Sequence, residues 1–281
     1  MDSGRTQPHR GSMIRTLHVE THGARIAVHC AGKGPLALLV HGYPLDHRMW
    51  LDLLGSRAAE HRTLAAVDLR GHGCSQQHEP QGCAEPRLDM DLHAADLAAV
   101  VHQLGGGTAD LVGLSMGGYA TLALAAAHPQ LLRTMALVDT RAAADSEPAR
   151  AGREAAIATV VERGRTAIAD AMLPKLLAPG ADPFVGARIR TMIESQPVET
   201  IVADLRGLRD RPDRTGLLPG LRMPVLVVVG EQDAITPPAE ATAMAATIPG
   251  ARLAVVPRCG HMTPMEAPGA FADLLCDFWA G

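Results

Sequence analysis

The sequence predicts an α/β fold: a mostly parallel sheet of about eight strands, helices on both faces and a helical insertion. Short apolar runs ending at Gly, Asp or Ser alternate with longer stretches of helical periodicity, the pattern of strands joined by crossover helices. The 281 residues suffice for one large domain with a well-buried core. From about 141 to 219 the alternation stops, and amphipathic pieces follow one another without a β-branched run.

The first strands are expected around Val19 and over Arg25 to Cys30, turning at Gly23. Ala37 to Val40 and Thr63 to Val67 are apolar runs that stop at His41 and Asp68. Ala109 to Leu114 runs directly into Ser115, and Met135 to Val138 ends at Asp139. Val225 to Val229 is the most β-branched run, and Arg252 to Val256 is the last. Helices are expected over Asp89 to Leu104 and over Met116 to His128, the second stopped by Pro129. Two more begin at Pro237-Pro238, running to about Ile248, and at Pro268, running to Trp279. The insertion holds four pieces: Ala151–Arg163, Thr166–Leu177, Pro183–Ile193 and Val198–Leu208. It is too long for a simple crossover and is expected to lie as a cap over the carboxyl ends of the strands, where open α/β sheets bind ligands.

Composition excludes several classes. A net charge of -4 gives no reason to expect nucleic acid or an anionic membrane as partner. Aromatic residues make up only 2%, so the core must be aliphatic. Five cysteines (Cys30, Cys74, Cys83, Cys259, Cys276) show no CxxC spacing, which suggests free thiols in a reducing compartment. The first twelve residues read as a disordered leader without the apolar core of a secretory signal, and a cytoplasmic location is expected. No stretch of ~18 apolar residues suggests a membrane span. No histidine pair has the HExxH spacing, so no metal is implied, and no cofactor is expected.

The chemistry centres on Gly113-Leu-Ser115-Met-Gly117, a G-x-S-x-G between a strand and an Ala-rich helix. Glycines around the serine let strand and helix approach closely while a tight turn exposes the hydroxyl. A serine hydroxyl needs a base, and His261 is placed for it, after the last strand and before the last helix. His41 and His72 sit at strand ends and read as structural hydrogen-bond formers. The histidine in turn needs a buried acid to hold its tautomer. Asp233, after the strongest strand, is the first candidate, Asp139 the second, and Glu231 is less favoured because it lies closer to the strand. Two backbone N–H groups should stabilise the oxyanion: Met116, at a helix N-terminus, and Tyr43, in the loop after the third strand, whose side chain could line the pocket.

Four blocks carry a family resemblance: HGYP (41–44), DLRGHGCS (68–75), GLSMGG (113–118) and GEQD with GHM (230–262). In kind and order they resemble the α/β-hydrolase superfamily and span nearly the whole chain. The stretch HGYPLDHRMW resembles the branch of small esterases, enol-lactonases and cofactor-free haloperoxidases. The resemblance implies a core over 13–140 and 220–281 with a helical cap over 141–219. Serine at the turn disfavours haloalkane dehalogenases and epoxide hydrolases, which carry aspartate there. The order Ser115, Asp233, His261 is the one this fold uses.

The expected activity is hydrolysis of a small apolar carboxylic ester or lactone through an acyl-enzyme. A C–C bond hydrolase with the same triad, or a ligand-sensing protein on this scaffold, are the alternatives. Met172, Leu173, Leu176, Leu177, Phe184, Met192 and Ile193 would either face an apolar substrate or pack the cap. Arg188, Arg190, Arg206, Arg209 and Arg211 would either recognise a carboxylate or form a solvated face.

Overall fold

A computed structural model describes residues 13–77 and 86–281; the expected leader over 1–12 and Cys83 lie outside the described residues. β1 (Arg15–Thr21) and β2 (Ala24–Gly32) form an antiparallel hairpin turning at Gly23, whose φ of 76° suits a residue without a Cβ. β3 (Leu36–Val40), α1 (Leu51–Leu54), β4 (Thr63–Val67) and β5 (Gln76–Gln77) follow. Next come α2 (Met90–Leu104), β6 (Ala109–Leu114), α3 (Met116–Ala127) and β7 (Leu132–Val138). The helical stretch holds α4 (Glu147–Leu176), α5 (Pro183–Ser195) and α6 (Val198–Arg209). β8 (Val225–Gly230), α7 (Pro238–Thr247), β9 (Arg252–Val256), α8 (Thr263–Glu266) and α9 (Pro268–Ala280) complete the chain.

The sheet order is β1-β2-β4-β3-β6-β7-β8-β9, with β5 on β2. From β4 to β9 every pairing is parallel, whereas β2 runs antiparallel to β1, β4 and β5. All eight expected strands form; the ninth, β5, is two glutamines long and carries no apolar pattern that would announce it. β3, β6 and β8 are buried along their whole length, as strands covered on both faces must be. The one charge among them, Asp110 in β6, is neutralised by Arg62 (Nε to Oδ2, 2.6 Å) and Arg133 (Nε to Oδ1, 2.9 Å).

The helices follow local rules. Asp89 caps α2 by accepting the Leu92 amide, and Ser146 caps α4 through the Ala149 amide. α4 runs across two of the expected pieces, and Gly164 (φ 76°, ψ -175°) breaks it between them. Among the described residues no helix is long and apolar enough to cross a membrane.

Register places the site. Val40 lies beside Gly113, Leu114 beside Val138, and Val138 beside Val228, so β3, β6, β7 and β8 end at one edge of the sheet. The residues that follow these strands therefore gather there. The approach of α3 to the sheet is close: a Cβ on Gly117 would lie 2.2 Å from Val40 O, and one on Gly113 would lie 2.4 Å from Gly117 O.

Gly117→Ala is accordingly expected to destabilise the protein by about 3 kcal/mol or more, through a clash with immovable backbone. Gly152→Ala, in α4 with nothing within 4 Å of an added Cβ, is expected to be neutral or to stabilise by up to ~1 kcal/mol. Urea unfolding of the two variants measures the contrast.

Candidate active site

Ser115 stands between β6 and α3 with φ 52° and ψ -113°, a left-handed conformation that costs a non-glycine residue about 1–3 kcal/mol. Surrounding bonds hold it there. Its amide donates to Val138 O (2.9 Å), and its carbonyl accepts from Gly118 N (2.9 Å), Tyr119 N (3.1 Å) and Thr140 Oγ1 (2.8 Å). The turn is thereby tied to β7 and α3 together. Its side chain is left half-buried at the sheet edge.

The loop after β3 runs against this turn: a Cβ on Gly42 would lie 3.3 Å from Ser115 Cβ. His41 Nδ1 donates to Gly42 O (3.0 Å) while its Nε2 accepts the Leu69 amide (3.0 Å), which fixes a neutral tautomer. Burial, reinforced by neighbouring His72, pushes the His41 ring down to about 4. His41 is thus the structural hydrogen-bond former expected of it. The next peptide, Tyr43-Pro44, is cis. Among the described residues neither the Tyr43 nor the Met116 amide finds a protein acceptor. The Tyr43 side chain is buried with its hydroxyl unpartnered.

Asp233 and His261 meet. His261 Nδ1 donates to Asp233 Oδ2 at 2.8 Å, with both side chains almost fully buried. Asp233 is itself held by the amides of Ile235 (2.8 Å) and Thr236 (2.9 Å) on Oδ1 and by Thr236 Oγ1 (2.7 Å) on Oδ2. Burial opposes its ionisation, but the His261 hydrogen bond and charge outweigh it and keep the carboxyl below its usual range. The two loops fit because Gly230 carries no side chain where they cross: a Cβ there would lie 1.9 Å from Gly260 O.

Asp139 does something else. It accepts Gly230 N (2.9 Å), Thr263 N (3.2 Å) and Thr263 Oγ1 (2.7 Å), bracing the His261 loop without touching the ring. Full burial drives its carboxyl up to about 7, against the pull of His261 and with the repulsion of Asp233. Glu231 accepts the Arg258 amide and takes no part.

His72 Nε2 lies 2.8 Å from Asp204 Oδ2 of α6, and His93 Nε2 lies 3.7 Å from its Oδ1, all fully buried. Neither contact is an aligned hydrogen bond. Burial works against it, yet Asp204 raises His72. His93 and His29 are buried inside α2 and β2. One group of metal-ligand type exists among the described residues, His29, His47 and Asp68. Its ring nitrogens already bond to the carboxylate (His29 Nε2 3.1 Å, His47 Nδ1 2.8 Å), which also accepts the His47 and Cys74 amides. These bonds account for the group without an ion.

The residues named in the helical stretch fall in different surroundings. Leu176, Met192 and Ile193 are buried, Met172, Leu173 and Leu177 pack partly against the core, and Phe184 is 67% exposed and faces solvent. The arginines are spent on neighbours: Arg188 on Asp52, Arg190 on Asp170 and Glu194, Arg209 on Asp210 and Glu154, and Arg206 on Pro86 O. Arg211 belongs to no solvated face; it is buried, paired with Asp145 and stacked 4.2 Å over the Tyr119 ring. Sequence reasoning also passed over Thr236, Asp204 and Glu266. Glu266 follows His261 by five residues, the one local signal available.

A family model described as the alpha/beta hydrolase family matches residues 37–274. The chain belongs to that family. It is 30% identical over 250 residues to a pimeloyl-[acyl-carrier protein] methyl ester esterase of Neisseria meningitidis, covering 86% of this chain and 76% of the relative. A thermophilic esterase from Thermogutta terrifontis, solved with malate bound, superposes with a TM-score of 0.88 at 36% identity, covering 95% of this chain and 98% of that one. The enol-lactonase from Burkholderia xenovorans LB400 gives 0.84 at 26% identity, covering 94% and 100%. The protein is an esterase-like hydrolase.

Asp233→Asn and Asp139→Asn separate the two carboxylates. The first is expected to lower kcat by about 10⁴-fold by imposing the wrong tautomer on His261. The second should cost mainly stability, because it removes a brace and not the ring's partner. Steady-state rates beside unfolding curves measure both, and a larger rate loss for Asp139→Asn would reverse the roles.

Proposed function

We propose that the protein is a serine hydrolase that cleaves a small, uncharged carboxylic ester or lactone through an acyl-enzyme, with Ser115, His261 and Asp233 as its triad. The observation that carries this reading is the buried Asp233–His261 pair, presented at the sheet edge where the strained turn projects Ser115. With Nδ1–H committed to Asp233, the ring keeps Nε2 as the base. Ser115 Oγ attacks the carbonyl as Nε2 takes its proton, and Asp233 stabilises the imidazolium that forms. The N–H groups of Tyr43 and Met116 receive the oxyanion, each worth about 2.7–4 kcal/mol in comparable sites. The imidazolium then protonates the leaving alcohol. In the second half His261 draws a proton from water, which attacks the acyl carbon and frees Ser115.

The boundaries proposed are a core over 13–140 and 220–281 and a cap over 141–219. The bonds that seat α4 and α6 on the core support this. The pairing of Arg188, Arg190, Arg209 and Arg211 with neighbouring carboxylates supports an uncharged substrate, since binding a carboxylate there would break existing ion pairs. The names of the relatives, an ester hydrolase and an enol-lactonase among them, point to the same class.

Ser115→Ala is expected to lower turnover of short and medium acyl esters by about 10³-fold or more, with the unfolding curve unchanged. The same panel should contain lactones and ring-fission diketones. Retained ester turnover in the variant sinks the nucleophile assignment. Preferential cleavage of the diketones makes the protein a C–C hydrolase, and saturable binding without turnover makes it a sensor.

A further inference from the structure

The loop carrying His261 is held by one carboxylate that also grips the helical stretch. Glu266 Oε1 accepts the amides of Gly260 (2.9 Å) and Met262 (3.2 Å), the two residues flanking His261. Its other oxygen, Oε2, accepts the Ala178 amide (2.8 Å), just past the end of α4. The His261 amide donates to Leu176 O (2.8 Å), the last residue of α4. Three consecutive amides of this loop thus end on Glu266 or on α4. The approach depends on Gly260, where a Cβ would lie 2.6 Å from Ala178 N and 2.7 Å from Leu177 C.

We propose that Glu266 is a positioning residue that couples the seating of the helical stretch to the placement of the His261 ring. The inference rests on the reading of His261 as the base. The ring is fixed at Nδ1 by Asp233, so its remaining freedom lies in the backbone from which it hangs. That backbone is referenced to α4 by the Glu266 bridge and by the Leu176 carbonyl. If the stretch lifts, the His261 amide loses its acceptor and Glu266 loses one of its three donors, in a place where most neighbours are buried. The base is therefore properly aimed only when the stretch is seated, the state that also shields the reacting carbonyl from water. A substrate that holds the stretch down would by the same bonds complete its own catalyst.

Glu266→Gln keeps the shape but must turn an amide nitrogen toward at least one of these N–H donors. It is expected to lower kcat for a short acyl ester by about tenfold or more, the scale of effect that small misplacements carry, with KM within about twofold. The acid limb of kcat/KM should move to a lower apparent pKa as the His261–Asp233 bond loosens, and the downfield Nδ1 proton resonance should broaden. In the wild-type protein the amides of Ala178, Gly260, His261 and Met262 should exchange with deuterium as one unit. The proposal is overturned if Glu266→Gln keeps kcat and the pH profile while losing only thermal stability. Independent exchange of the two segments in the wild type overturns it equally, and that readout needs no variant to fold. Failure of the triad reading would show separately, as ester turnover surviving Ser115→Ala.

Discussion

The structure depends on how closely α3 can approach the ends of β3 and β6. Glycines at 113 and 117 remove the side chains that would collide with backbone. Gly118 does the same against Thr140, where an added Cβ would lie 2.5 Å from Oγ1. With these spaces empty, the chain can turn from strand to helix within one residue, and that residue is forced to a positive φ. Ser115 takes the strain. Its backbone is then pinned by β7 and by the first turn of α3. Packing energy of the core thus maintains a conformation the local sequence would not choose, which is how a single hydroxyl is kept at a fixed edge of the sheet.

The same edge holds two buried carboxylates whose surroundings give them different chemistry. Asp233 accepts two amides, a hydroxyl and the His261 ring, so its charge is solvated by the protein and stays. Asp139 is more deeply buried and braces Thr263 and Gly230, and its ionisation is pushed toward neutrality. Only the first is in contact with the imidazole. The division follows from hydrogen-bond geometry rather than from sequence distance, since both residues lie in the loops that follow neighbouring parallel strands.

Much of the fold was legible because strands buried on both faces must be nearly continuous apolar runs, and β3, β6 and β8 are. β5 was invisible because two polar residues make no pattern. The break at Gly164 could be read as the gap between two amphipathic pieces, though not as a single bent helix. Ser115, His261 and Asp233 could be nominated because each sits just past a recognisable strand. The placing of Arg211 and Phe184 could not, because one is drawn inside by Asp145 and Tyr119 and the other pushed out by a packing that no local pattern encodes. Asp204 was missed because its partners, His72 and His93, lie far along the chain, and Glu266 because its bond to the distant Ala178 amide leaves no local pattern.

On the proposed mechanism Ser115 becomes acylated in every turnover. Rapid mixing of the protein with a p-nitrophenyl ester, followed by acid quench and peptide mass analysis, tests it most directly. The expected result is a nitrophenolate burst approaching one per protein chain and an acyl adduct confined to the peptide bearing Ser115. Turnover with no acyl adduct at any time, or an adduct on another residue, would contradict it.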